Sequence, residues 1–179
     1  EDGEIYTIIN CNSGKVLTPL HSSRVSGTNI VQMTGSDDPA QKWVFADMGN
    51  GYWTIKNMDN GLAMDIEGAS TADGAKNIQW TYTGANNQQW KLSRSGDFYT
   101  IVNRNSGKYL DISDASLEDG WPDIQWKANG GKNQLWELCR QKGLTCVDNS
   151  IVIPTNVFYD PRAQRISVTL NSGMNRSGW

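Results

Sequence analysis

One pattern is written three times in this chain. Tyr6-Thr7-Ile8-Ile9-Asn10 returns as Trp53-Thr54-Ile55-Lys56-Asn57 and again as Tyr99-Thr100-Ile101-Val102-Asn103. Each copy closes on Gln-x-Trp: Gln41/Trp43, Gln88/Trp90 and Gln134/Trp136. The three tryptophans fall 47 and 46 residues apart, and each sits 25 residues after Thr18, Asp65 or Asp111. Three ungapped copies with a period of 20–50 residues imply one supersecondary unit per copy. Such a unit buries its apolar face only against its neighbours. The chain is thereby restricted to folds built from three similar units, residues 4–47, 48–93 and 94–138.

Within each unit the residues favour strands. Tyr6 to Ile9, Tyr52 to Ile55 and Phe98 to Val102 are β-branched and aromatic runs. Each is followed by a turn signal, Asn12-Ser13-Gly14, Asp59-Asn60-Gly61 or Asn105-Ser106-Gly107, whose Asn-Gly and Ser-Gly steps supply the positive φ of hairpins. A second strand is expected over Lys15 to Thr18, Leu62 to Ile66 and Lys108 to Ile112. A third is expected over Ile30 to Met33, Ile78 to Trp80 and Ile124 to Trp126, and the fourth carries Gln-x-Trp. No segment shows a useful helical apolar period. Twelve short strands in three equal units predict a closed, pseudo-threefold, all-β body, since closure removes exposed sheet edges. Ile8, Ile55 and Ile101 with Trp43, Trp90 and Trp136 are the expected core, because they recur whatever else changes. The Gln of each Gln-x-Trp is expected to satisfy backbone polar groups in its own unit.

After Leu138 the pattern stops. Residues 139–179 hold two β-like runs, Ile151 to Ile153 and Ile166 to Leu170, around Asp160-Pro161-Arg162, a turn signal. This segment is read as a C-terminal extension or as the start of a further domain, since 41 residues are few for an independent core. The net charge of −3 comes without a Lys/Arg run, which argues against nucleic acid or an anionic membrane surface as partner. No apolar stretch approaches the ~20 residues that span a bilayer. Glu1 opens the chain without a signal peptide, as in a mature or a trimmed sequence. Cys11, Cys139 and Cys146 fit no metal motif, and His21 is the single histidine, so no metal or cofactor is expected. The cysteines are either small buried hydrophobes or one disulfide plus a free thiol, with Cys139–Cys146 and Cys11–Cys139 as the pairings to consider.

The copies differ at a few positions. The second unit has Asp65, then Trp80 fifteen residues later, then Asn87 before Gln88. The third has Asp111, Trp126 and Asn133 before Gln134 at the same spacing. The first has Thr18, Met33 and Ala40 in those places, although its core signature survives. If Asp, Trp and Asn were structural, the first unit would need them too. Their chemistry suits a sugar: a carboxylate accepts from two hydroxyls, a Trp face covers a pyranose C–H patch, and an amide donates and accepts. The bland alternatives are that Trp80 and Trp126 are extra core and that Asp65 and Asp111 cap turns. Trp121, specific to the third unit, is either an exposed second platform or a lid on the core.

Residues 4–138 resemble the ricin B-type lectins and the related carbohydrate-binding modules of glycosidases. The likeness is carried by the three Gln-x-Trp repeats and the Leu-Asp and Asn-Gln-x-Trp elements. It implies a β-trefoil of three four-stranded units, with sugar pockets formed by Asp65, Trp80, Asn87 and Gln88 and by Asp111, Trp126, Asn133 and Gln134. It implies a secreted, non-enzymatic glycan binder, with galactose-type and xylan-type sugars among the ligands and further domains of a longer parent protein as partners. The competing class is a protein-binding trefoil such as a protease inhibitor. Catalysis by the chain itself is not expected. No nucleophile has a base beside it, and Asp65 and Asp111 lie in different units rather than across one glycosidic bond.

Overall fold

The computed structural model describes residues 3–141 and, beyond them, the backbones of strands 145–147, 150–152, 157–160 and 165–168. The chain divides into two units, Glu1–Lys142 and Gly143–Trp179. The first unit holds twelve strands. Repeat one gives β1 (Glu4–Asn10), β2 (Val16–Pro19), β3 (Ile30–Met33) and β4 (Trp43–Asp47). Repeat two gives β5 (Trp53–Asn57), β6 (Ala63–Ile66), β7 (Asn77–Trp80) and β8 (Trp90–Ser95). Repeat three gives β9 (Phe98–Asn103), β10 (Tyr109–Ile112), β11 (Asp123–Trp126) and β12 (Trp136–Arg140).

The outer strands of each repeat close into a six-stranded antiparallel barrel: β1 pairs β4, β4 pairs β5, β5 pairs β8, β8 pairs β9, β9 pairs β12, and β12 returns to β1. The inner strands form three hairpins, β2–β3, β6–β7 and β10–β11. Single bridges Asn29–Ile78, Val31–Pro122 and Lys76–Ile124 link the hairpins in a ring. Barrel and hairpin triplet together make the expected β-trefoil. β12 continues to Arg140, two residues past the end of the repeat pattern, and the Gln141 N–H still reaches the Ile5 carbonyl at 2.9 Å.

The repeated residues fill the centre. Trp43, Trp90, Trp136, Ile8, Ile55 and Ile101 are fully buried in one cluster with Leu17, Met64 and Leu110. Each indole N–H donates to the carbonyl just before the position of Thr18, Asp65 or Asp111: Trp43 to Leu17 at 2.9 Å, Trp90 to Met64 at 3.4 Å and Trp136 to Leu110 at 3.3 Å. The polar tip of the buried ring thus ties the core to the strand that presents the candidate site. The Gln of each Gln-x-Trp lies just ahead of the strand rather than in it. It ends a single 3₁₀ turn: Pro39–Gln41, Asn86–Gln88 or Lys132–Gln134.

The repeat is broken inside the triplet. Ile30, Asn77 and Asp123 occupy one position of the three units, and all are fully buried. Asn77 Nδ2 donates to Asp123 Oδ2 at 2.6 Å, and burial holds the Asp123 carboxyl well above the usual carboxylate range.

Cys11 and Cys139 are free thiols. β1 and β12 are indeed neighbours, but their register sets Thr7 opposite Cys139 and Asn10 opposite Trp136. The two sulfurs therefore belong to positions about four residues, or roughly 13 Å, apart along the ladder, beyond disulfide reach. The Cys146 side chain lies outside the described residues.

In the second unit, β13 (Thr145–Val147) pairs β14 (Ser150–Val152), and β15 (Val157–Asp160) pairs β16 (Arg165–Val168). Strands thus lie on both β-like runs predicted there; Ile153, Leu170 and the Pro161-Arg162 step are outside the described residues.

Candidate functional site

In the second repeat, Asp65 lies on β6 and Trp80 ends the paired β7, so the hairpin presents both toward the 3₁₀ turn that carries Asn87 and Gln88. Asn87 Nδ2 donates to Asp65 Oδ1 at 2.8 Å and to the Ile66 carbonyl at 3.0 Å. Gln88 Nε2 donates to Asp65 Oδ2 at 2.8 Å and to the Thr81 carbonyl at 2.9 Å. Both carboxylate oxygens are therefore fixed by amides, each oxygen retaining a lone pair for an outside donor. Asp65, Trp80 and Asn87 line one open hollow of about 440 Å³, together with Gly27, Ile78 and the turn Glu67–Ala69. The Trp80 ring is 44% exposed, whereas Trp90, ten residues on, is fully buried.

The third repeat reproduces this arrangement. Asn133 Nδ2 donates to Asp111 Oδ1 at 2.9 Å, and Gln134 Nε2 donates to Asp111 Oδ2 at 2.7 Å. Asp111, Trp126 and Asn133 line a hollow of about 290 Å³ with Ile124, Asn129 and the turn Ser113–Ala115. Both hollows lie at or near the small end of ligand-site sizes.

Gln88 and Gln134 face the carboxylate from behind. Each is buried and engaged at both ends: the Gln88 Oε1 accepts from the Thr83 N–H at 2.8 Å, and the Gln134 Oε1 from the Asn129 N–H at 3.0 Å. Gln41 makes the same backbone contacts in the first repeat, accepting from Ser36 N–H and donating to the Thr34 carbonyl, with no carboxylate to hold. The glutamine's structural task is thus common to all three units, and its grip on Asp is added in two. In the first repeat Thr18 Oγ1 donates to the Ala40 carbonyl at 3.3 Å and to the Pro19 carbonyl at 3.4 Å, so its hydroxyl proton is used internally. Trp121 is 37% exposed, a partly open ring rather than a core lid.

Burial raises the Asp65 carboxyl above the ordinary range against the opposing bonds from Gln88 and Asn87. Burial also pushes Asp111 up, to about 6, with the Asp114 charge adding to the shift against the bonds from Gln134 and Asn133. The repeats gave no direct sign of the 3₁₀ turns that follow each Asp. Their middle residues, Gly68 and Asp114, and the residues after them, Ala69 and Ala115, have positive φ. A one-turn element has no periodicity to read, and the same positive-φ pair recurs at His21-Ser22 in the first repeat, so it belongs to the fold rather than to the pockets.

The sequence profile of the ricin-type beta-trefoil lectin domain-like family matches residues 1–80 and 86–150. A designed threefold-symmetric protein, ThreeFoil, is 41% identical with a TM-score of 0.75, over 75% of this chain and 97% of its own. An exo-β-1,3-galactanase from Clostridium thermocellum is 40% identical with a TM-score of 0.76, over 78% of this chain but only 31% of its own. The Macrolepiota procera ricin B-like lectin, solved with lactose, is 24% identical with a TM-score of 0.67, over 79% and 98%; at that identity the likeness concerns the fold. No curated protein sequence matches significantly.

Proposed function

The chain belongs to the ricin-type beta-trefoil lectin domain-like family, and from that premise we propose that it binds carbohydrate, without catalysis, in the two hollows of the second and third repeats. The observation that carries this reading is the coincidence of three features in two places and their loss in a third. An amide-fixed carboxylate, a partly open indole and a small hollow occur together around Asp65/Trp80 and Asp111/Trp126. The carboxylate accepts two sugar hydroxyls, the indole covers the apolar face of the ring, and Asn87 or Asn133 completes the polar contacts. Gln88 and Gln134 act through the carboxylate, holding its plane against the ligand.

Each contact set is shallow, so each site is weak, with Kd on the order of 0.1–1 mM. Two such sites on one body favour branched or repeating glycans through avidity. A galactose-type sugar is the first ligand to test, because the 40% identical structure, 31% of which this chain matches, is named as a galactanase. Calorimetric titration with monovalent galactose or lactose should return about two sites per chain. Asp65→Ala and Asp111→Ala should each remove one of them. Three equal sites, or none with any monosaccharide on a glycan array, would overturn the proposal.

A further inference from the structure

The first repeat lacks a ligand set of its own, yet one of its residues lines the second pocket. The loop from Ser23 to Thr28 leaves the first hairpin and lies against β7 of the next repeat. The Gly27 N–H donates to the Gln79 carbonyl at 2.7 Å, the Gln79 N–H to the Thr28 carbonyl at 2.9 Å, and the Thr81 N–H to Ser26 Oγ at 3.3 Å. The buried Gln79 side chain clamps the loop from beneath, donating to the Ser23 carbonyl at 2.7 Å and the Val25 carbonyl at 3.0 Å. The loop is therefore fixed, and Gly27 stands against the outer edge of the Trp80 ring. A Cβ built on Gly27 would lie 3.2 Å from Trp80 Cζ3.

The threefold repeat supplies comparisons within the same molecule. Gly74 and Gly120 occupy the same place in the loops of repeats two and three, and the same clamp is made by Gln125 and Gln32. All three glycines have positive φ: +91° at Gly27, +82° at Gly74 and +78° at Gly120. They differ in what lies beside them. A Cβ on Gly74 would reach Trp126 Cζ3 at 3.5 Å, an ordinary contact, and a Cβ on Gly120, facing the repeat that has Met33, would meet nothing within 4 Å. Backbone strain is thus common to the three positions, and close approach to a stacking ring is specific to Gly27.

Building on the carbohydrate reading, we infer that Gly27 is a positioning residue for the second pocket: by lacking a side chain it lets Trp80 lie over the hollow, so that the first repeat completes the site of its neighbour. The two pockets are then unequal by construction. The second is walled by two repeats, and its floor area for a sugar ring depends on a loop that carries no ligand residue.

The test compares Gly27→Ala, Gly74→Ala and Gly120→Ala in the full chain. Two readouts are used: site-resolved titration with galactose, and the Trp80 indole N–H resonance in the unliganded protein. All three variants should lose similar melting temperature from the positive-φ strain. Gly27→Ala should shift the Trp80 resonance and weaken the second site about tenfold, leaving the third unchanged. The other two variants should leave the Trp80 resonance and the second site as in the wild type. An unshifted Trp80 in Gly27→Ala, or equal weakening of the second site by Gly120→Ala, would overturn the inference. A wild-type chain that binds no sugar, with Trp80 still shifted by Gly27→Ala alone, would retain the positioning role and reject the carbohydrate reading.

Discussion

A carboxylate that is buried, held by two amides and still expected to receive a ligand is under opposing demands, and Asp111 shows how they resolve. Burial disfavours its charge, Asn133 and Gln134 favour it, and Asp114 nearby disfavours it again, leaving the group titrating at about 6. Above that pH Asp111 is an acceptor-only carboxylate; below it one lone pair carries a proton, and that oxygen turns from acceptor toward donor. Sugar affinity at the third pocket should therefore fall as pH drops through about 6. Stability should move the other way. The folded pKa lies above the unfolded value near 3.9, so the native state binds the proton more tightly and this group's contribution rises as pH falls from above 6 toward 4. Asp65 is raised as well, but Gly68 replaces the Asp114 charge, so the second pocket should keep its ligand to lower pH. Site-resolved titration between pH 5 and 7.5 checks the order, and thermal melts over the same range separate lost affinity from lost fold. For the same reason Asp65→Ala and Asp111→Ala should melt near wild type. Asn87 and Asn133 keep their bonds to the Ile66 and Ile112 carbonyls, and Gln88 and Gln134 keep theirs to Thr81 and Lys127. A large fall in melting temperature in either variant would mark the carboxylate as structural.

At the scale of the element, the Gln-x-Trp of the second and third repeats works as a joint between core and pocket. The Trp is buried and pins the carbonyl before the site Asp, while the Gln two residues earlier grips the Asp and the following loop. Trp90→Ala should accordingly cost about 3–5 kcal/mol in denaturant unfolding and disable the second pocket with it. The triplet offers a sharper test of packing against polarity. Asn77 and Asp123 are fully buried and bonded to each other, and the backbone of Asp111 and Ile124 also faces the Asp123 carboxyl, whereas Ile30 fills the same place in the first repeat. Asn77→Ile alone strands a buried carboxyl and should destabilise by about 1–3 kcal/mol. Asn77→Ile with Asp123→Ile removes both polar groups and extends the Ile30 pattern, so the double variant should recover to wild-type stability or exceed it. Equilibrium unfolding of the two singles and the double gives the coupling directly. The strands, their order and the core tryptophans were all legible in the sequence, because a threefold repeat samples each position three times. The 3₁₀ turns Glu67–Ala69 and Ser113–Ala115 were not, since a single turn leaves no period. The Gly27 wall was not either, since a contact across repeats is invisible in any one copy.

The whole molecule turns a repeat into asymmetry. Three units close one barrel, and every unit lends the next a clamped loop, yet only two carry the Asp, Trp and Asn of the proposed pockets. The candidate site residues stand out in the sequence through the family resemblance and through their absence from the first repeat; without that contrast, a perfect threefold repeat would not have separated them from structural residues. The division into Glu1–Lys142 and Gly143–Trp179 yields a last prediction. All eight residues assigned to the pockets, and Gly27, lie in the first of these units. The boundary for a truncation is set by hydrogen bonding rather than by the end of the repeat pattern. β12 pairs Arg140 with Tyr6, and Gln141 donates to the Ile5 carbonyl from its backbone and to Thr7 Oγ1 from its side chain. A chain ending after Leu138 would remove the last rungs that close β12 onto β1 and should melt lower. A chain ending after Lys142 keeps every barrel rung and should bind two sugars with wild-type affinity. Calorimetry and thermal melts on the two truncations decide the matter: loss of a site in the longer chain that remains folded would mean that residues 143–179 contribute to a pocket, and the assignment of both sites to the trefoil would fall.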